Sequence, residues 1–315
     1  MSLIKKPNEL NVQTRIKMLI YGQAGTGKTT LALSAPNPLL IDFDGGVNRV
    51  NYAHLKDTVQ VSQYEDLLNV LNNEDLSAYD TIIIDTGGKM LDSMAAYIIK
   101  GDSRLGRRNG MLTQNGYGQR KAEFAAVVKL INSKNKDVIF IAHRQTVNDG
   151  DDIRYVPLFG GSNYDSLVTE LDLVGYLEAN GRQRVITFDP TSRSDGKNTC
   201  NMPSTMEVPT ILDANGNETA PNDFLTEQVI KRYRQRLVER IEESESYKKL
   251  MADLEKAIAK VKDADSANKF IESIDTYKHI GNSKTMAAKK FMARCTELGL
   301  KYDKETKTYN APAAS

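Results

Sequence analysis

The sequence predicts an α/β domain built on a largely parallel central sheet, followed by an all-helical C-terminal region. Three observations carry this reading. Short apolar runs (KMLIY, PLLIDF, DTIIID, DVIFIAH, DLVGYL and RVITFD) alternate with helical patterns up to about residue 222, as strand–helix units do. Runs such as TIIID lack alternation, which fits strands buried on both faces. From Asp223 onward the period changes. Leu225, Val229, Tyr233, Leu237 and Ile241 recur at helical spacing, as do Tyr247, Leu250, Leu254 and Val261. The expected division is therefore 1–222 for the α/β core and 223–315 for the helical region.

Each element follows in order. IKMLIY is a β-rich run, and TTLALSA reads as a first helical turn ended by Pro36. Between them lies YGQAGTGKTT, in which Gly22, Gly27, Lys28 and Thr29 fit G-x-x-x-x-G-K-[ST]. Glycines let backbone N–H groups approach phosphates without a Cβ in the way, and the helix that follows aims its N-terminus at the anion. The loop of Gly22, Gln23, Ala24, Gly25, Thr26, Gly27, Lys28, Thr29 and Thr30 is thus the expected cradle for ATP, with Lys28 reaching the β/γ-phosphates and Thr29 ligating Mg²⁺. The turn-rich EANGRQ and DANGNE suggest antiparallel hairpins appended to the sheet. Further helices are expected near Ser266 and Ser283, the second ending at Gly299, with KETKTYNAPAAS as a disordered tail.

Composition narrows the function. The 42 Lys+Arg against 41 Asp+Glu give a formal charge of +1, so attraction to nucleic acid must come from local patches. Cys200 and Cys295 lie far apart without C-x-x-C spacing, which argues against a zinc site or a disulfide framework and fits a reducing cytosol. MSLIKKPNEL lacks a signal-peptide stretch and no apolar run nears the ~20 residues of a membrane span. A soluble, cytoplasmic protein with no membrane contact is expected.

In a doubly wound sheet, ligands sit beyond the carboxyl ends of the strands. PLLIDFDGG places Asp42 and Asp44 there, YDTIIIDTGG places Asp85, VIFIAHRQ places His143, and FDPTSRSDGKN places Arg193 and Lys197. With a phosphate loop granted, Asp85 is the expected Mg²⁺ carboxylate, bound to the ion directly or through a water.

In the order of these motifs the chain resembles the RecA-like P-loop NTPase core, and within it the short RecA-like ATPases of bacteriophages that act as single-strand annealing proteins. The resemblance covers roughly residues 14 to 212. It implies that Asp44 of IDFDG positions the attacking water, with Asp42 as the rival carboxylate, where the family usually has Glu. It places the γ-phosphate sensor, usually Gln, at His143 of IFIAHR. It makes Lys197 of GKNTCNMP a residue that reaches a neighbouring subunit's nucleotide, and so implies a homo-oligomer, ring or filament.

The resemblance also implies two mobile loops that bind single-stranded DNA, here KGDSRLGRRNGMLTQNGYGQRK and RQTVNDGDDIRYVPLFGGSN. The first sets Lys100, Arg104, Arg107, Arg108, Arg120 and Lys121 against Asp102 alone, with Tyr117 able to stack on a base. The second is poor in cations and would need Tyr155 or Phe159 for stacking. From Thr276 to Tyr309 eight Lys/Arg stand against three acids, and these C-terminal helices are a candidate surface for DNA or a protein partner. The expected function is an ATP-driven annealing or recombination protein of a phage or prophage. The alternative is a nucleotide-switch ATPase that remodels a protein partner without binding DNA.

Overall fold

The computed structural model describes residues 14–149, 152–160 and 162–311. The chain divides into two compact units, one reaching Arg234 and the other beginning at Gln235. The division lies beyond the expected boundary at 222. Phe224, Leu225, Val229 and Ile230 are the reason, because they are buried in the core of the first unit.

The first unit is a three-layer α/β structure. Its strands are β1 (Lys17–Gly22), β2 (Pro38–Asp42), β3 (Thr58–Gln60), β4 (Thr81–Asp85), β5 (Asp137–Asp149), β6 (Asp152–Pro157), β7 (Leu173–Asn180), β8 (Gln183–Thr187), β9 (Lys197–Asn198) and β10 (Thr205–Val208). The main path of the sheet runs β10-β8-β7-β1-β5-β4-β2-β3. From β7 to β3 every neighbouring pair is parallel. The strands β8, β9 and β10 join antiparallel at the β7 edge.

The helices are α1 (Lys28–Ala32), α2 (Tyr64–Asn73), α3 (Gly87–Gly101), α4 (Gln114–Ser133) and α5 (Ser162–Glu170), and α6 (Lys231–Ala259) follows a π-type turn over Leu225–Ile230. Successive strand residues face opposite layers, as the period-2 pleat requires. Leu19 and Tyr21 of β1, with Ile82 and Ile84 of β4, enter a core closed by Leu67 of α2, Met90 and Met94 of α3 and Phe124 of α4. Met18, Ile20 and Ile83 enter the other, closed by Leu31 of α1 and by Leu225 and Val229. Burial on both faces explains why TIIID carries no polar alternation. The helices start where their caps allow. Gln63 and Asp66 form a capping box on α2, Thr86 accepts from the Lys89 N–H in α3, and Thr113 accepts from the Gly116 N–H in α4.

The second unit contains the rest of α6, then α7 (Ala264–Ile274), α8 (Ser283–Glu297) and a hairpin of β11 (Lys301–Asp303) and β12 (Thr308–Asn310). That hairpin corrects two expectations, an all-helical region and a disordered tail from Lys304 to residue 311; the last four residues of that tail lie outside the described residues. Tyr309 is buried and packs edge-on against Phe291, and Asn268 bonds both its N–H and its C=O. The run TYN is therefore anchored by one aromatic side chain that the polar composition of the tail conceals. The second expected mobile loop is also corrected: residues 144–149 pair antiparallel with residues 152–157 as β5 and β6.

At the amino ends of β1 and β5 one carboxylate holds several segments. Asp137, fully buried, accepts from the Ile16 N–H at 2.9 Å and from the Arg234 guanidinium at 2.6 Å. Asp137→Ala leaves that N–H and a partly exposed Arg234 without their acceptor, and is expected to lower unfolding stability by about 2–3 kcal/mol. A urea titration checks this, and an unchanged midpoint contradicts it.

Candidate nucleotide site

The chain leaves β1 at Gly22, where a Cβ would collide with the Leu177 carbonyl of β7. Gly25 and Gly27 then take φ values of 80° and 90°, in the left-handed region that favours glycine. Gly27 is the N-cap of α1, so the loop wraps its N–H groups around the end of a helix. The Thr26 hydroxyl donates to the Gln23 carbonyl at 3.0 Å, and so does the Lys28 ammonium at 2.8 Å. Lys28 is buried, and burial pushes its pKa down while Asp85 and Asp44 hold it up.

Parallel register brings the strand ends together. His143 lies opposite Gly22, Asp85 opposite Ile141, and Asp42 opposite Asp85. The Thr29 hydroxyl donates to Asp85 Oδ2 at 2.6 Å. Burial raises the Asp85 carboxyl to about 6; the Thr29 bond opposes the rise, Asp42 and Asp44 add to it, and Lys28 opposes it. A half-buried hydroxyl and a buried carboxylate side by side are hard oxygen donors, the set that suits Mg²⁺ completed by water and phosphate oxygens. Bound there, the ion would supply charge neutralisation of the phosphates. Asp85 and Thr29 are the residues that would hold it.

The two carboxylates of IDFDG have different surroundings. Asp42 is buried and accepts from the N–H groups of Asp44, Gly46 and Val47 at 3.0, 3.1 and 3.0 Å. It fixes the turn that follows β2. Asp44 faces the cleft, with its Oδ2 3.9 Å from His143 Nε2 and 3.8 Å from the Arg49 guanidinium. Of the two, Asp44 lines the cleft while Asp42 is engaged by the turn. The imidazole of His143 is held below its usual pKa by burial and then by Lys28, against the pull of Asp44. The cleft, about 180 Å³, is lined by Lys28, Thr29, Asp44, Arg49, Asp85 and His143 among others.

Lys197 is elsewhere. It pairs with Val174 near the start of β7, at the end of the sheet opposite the cleft, and its ammonium caps α5 by donating to the carbonyls of Val168 and Thr169 at 2.7 and 3.2 Å. Within one chain Lys197 therefore stands away from the nucleotide cleft, bonded to a helix C-terminus where a cation is favourably placed; a reach toward a neighbouring subunit's nucleotide is a matter for the assembly. Arg193 is exposed on the loop before it.

The first expected DNA segment is an ordered turn. Leu112 is buried, the Thr113 N–H donates to Leu105 C=O, and Gly106 bridges Leu112. Tyr117, Arg120 and Lys121 already belong to α4. Two cations are engaged by acids, Lys100 with Glu65 at 2.8 Å and Arg104 with Asp102 at 2.7 Å. Arg107, Arg108 and Lys121 are exposed. The Arg120 guanidinium lies 4.9 Å from the Tyr117 ring centroid, and its buried Nε has no hydrogen-bond partner. In the second segment Phe159 is buried against Phe124 and Phe140, so it is not available to a base, and Arg144 covers the Tyr155 ring at 4.2 Å.

Two residues of the site were missed from sequence. Arg49 lines the cleft from the turn after β2. Arg184 of β8 donates to the Thr26 carbonyl at 2.9 Å and braces the loop from two strands away. A basic residue on a strand next but one to the phosphate-loop strand carries no local signal; only sheet order shows it.

This fold and loop define a P-loop nucleotide-binding domain of the ATPase type. Residues 14–200 match the AAA domain family, and the chain belongs to that family. An AAA domain implies nucleotide binding, typically with Mg²⁺, and ATPase activity in general. No curated protein matches the chain. Among the described residues no helix is long and apolar enough to cross a membrane, and no cluster of His, Cys, Asp and Glu could hold a metal by itself. Neither cysteine is in a disulfide, and both are buried.

The separation of the two carboxylates is testable. Asp44→Asn should keep ATP affinity and thermal stability but lose ~10² or more in turnover. Asp42→Asn sets an amide N–H among backbone N–H groups, and should instead lower unfolding stability by about 1–3 kcal/mol. Steady-state hydrolysis and thermal melts on the two variants decide. Full turnover in Asp44→Asn contradicts the assignment.

Proposed function

We propose that the protein is an oligomeric, Mg²⁺-dependent ATPase that binds single-stranded DNA and promotes strand annealing or recombination. One observation carries the reading: a cleft that adjoins the nucleotide cleft is lined by Arg120 of the first segment implied to contact DNA and by Leu158 and Gly160 of the second. The chain passes from Asp85 through Thr86 into α3 and the turn beyond it, and from His143 straight into the β5–β6 pair. That second cleft, of about 230 Å³ and lined by Thr86, Lys89, Arg120, His143, Leu158 and Gly160 among others, shares Thr86 and His143 with the nucleotide cleft. A change at the γ-phosphate position thus has a short path, through His143, to both segments. Exposed Arg107, Arg108 and Lys121, with the half-exposed Tyr117, supply the charge and ring that a single strand needs. Origin in a phage or prophage follows only from the resemblance in motif order.

The whole-molecule charge is too small for indiscriminate binding. Affinity is therefore set by assembly, which lines many such turns along one strand. The internal pairing of Lys100 and Arg104 favours the second reading, a nucleotide switch acting on a protein partner, because it withdraws two of six cations from phosphate. Any partner of the C-terminal unit would also face fewer free charges than the sequence suggests, since Lys284 pairs with Asp275, Lys290 with Glu255 and Arg294 with Glu297.

Fluorescence anisotropy with a labelled oligonucleotide separates the two readings. Binding should strengthen with ATP and Mg²⁺ and weaken with salt, each phosphate contact adding roughly 0.7 to the log–log slope. Arg107→Ala with Arg108→Ala should flatten that slope, whereas Arg104→Ala should change it little. Wild-type protein that shows no nucleotide-dependent binding at low salt leaves the partner-directed switch.

A further inference from the structure

We propose that the apolar pocket on the β8 side of the phosphate loop is the nucleoside site, with its outer wall built by residues 208–224. This rests on the nucleotide reading above and adds to it, because those residues lie beyond the matched domain of residues 14–200. The pocket holds about 260 Å³ and shares Gly27 and Thr30 with the phosphate cleft.

The polarity of the site selects it. Asp44, Asp85 and His143 gather at one side of the loop, where the terminal phosphate and its attacking water belong. The α-phosphate and the nucleoside must then leave at the other side, past Gly27 and the first turn of α1. There the chain presents a slot walled by Leu31, Leu177, Val208, Ile211, Leu212 and Phe224. A base has two apolar faces and a polar edge, and beside its apolar wall the slot carries Thr30, Arg182, Arg184, Asp213, Asn222 and Asp223, the combination of apolar surface and placed polar groups usual in a small-molecule site. The competing cleft, at Thr86 and Arg120, opens from the terminal-phosphate side.

The slot is tied to the loop by specific bonds. Asn222 donates to the Thr30 carbonyl at 2.8 Å, which fixes segment 221–224 on α1. Arg184 donates to the Thr26 carbonyl, which fixes β8 beside Gly27. Thr226 and Leu225 bond to Ser34 just beyond α1. With the amide nitrogen of Asn222 engaged, the side chain has its carbonyl oxygen left to offer, an acceptor suited to an amino-bearing base such as adenine.

Isothermal titration calorimetry in Mg²⁺ compares ATP with inorganic tripolyphosphate, which has the phosphates and no nucleoside. Wild-type protein should bind ATP at least about tenfold more tightly than tripolyphosphate. Ile211→Glu puts a charge in the slot, and Thr210→Trp fills it from an exposed position. Each should lose about tenfold or more in ATP affinity while tripolyphosphate affinity stays within about twofold, which also shows that the variant is folded. Equal wild-type affinity for the two ligands overturns the inference, as do variants that bind ATP normally. Loss of both ligands in both variants marks the segment as a support of the loop, and overturns it as well. Lys28→Ala should remove both ligands. If it retains both, the phosphate-loop reading itself fails and this inference falls with it.

Discussion

The parallel register of β4, β5 and β1 is the constraint on which the site depends. Because β5 lies between the other two, Gly22 is level with His143, and Asp85 stands two residues short of it on the next strand. Shifting one strand by a single residue would turn its side chains to the opposite face. The apolar sets of both layers forbid that: Ile82 and Ile84 belong to one core and Ile83 to the other. Packing on both faces thus holds a hydroxyl, a carboxylate, an ammonium and an imidazole at one edge. The Thr29–Asp85 bond then closes the site across the width of β5.

Around that edge the electrostatics are arranged by burial as much as by charge. Lys28 is pushed down and Asp85 up by loss of solvent, each partly restored by the other. A triphosphate with its Mg²⁺ would supply what both groups lack, a fixed counter-charge for the ammonium and a cation for the carboxylate. Asp42 shows the other use of a buried carboxylate. With three backbone N–H groups around it, it makes the turn that aims Asp44 into the cleft.

What the sequence made legible was local. The glycines, Lys28 and Thr29 sit in one short stretch whose spacing is itself the chemistry, and Asp85 follows an unbroken apolar strand. The unseen parts depend on which strands become neighbours. Arg184 reaches the loop only because β7 separates β8 from β1, and the slot at 208–224 exists only because that segment folds back over α1. Lys197 looked like a free cation in a polar loop, and the proximity of the α5 carbonyls could not be read from its neighbours. The basic stretch from Lys100 to Lys121 looked mobile because glycines and charges dominate it. One apolar residue, Leu112, with a Thr113 cap makes it an ordered turn. The same oversight hid the β11–β12 hairpin, where Tyr309 outweighs its polar surroundings.

The central claim is that Thr29 and Asp85 hold the metal of a nucleotide bound at Gly22–Thr30. Anomalous diffraction from a crystal grown with Mn²⁺ and a non-hydrolysable ATP analogue tests it most directly. The account predicts one manganese peak at the Thr29 hydroxyl, on the Asp85 side, with the β- and γ-phosphates under the Lys28 ammonium. A manganese peak away from Thr29, or a nucleotide seated outside this loop, contradicts it.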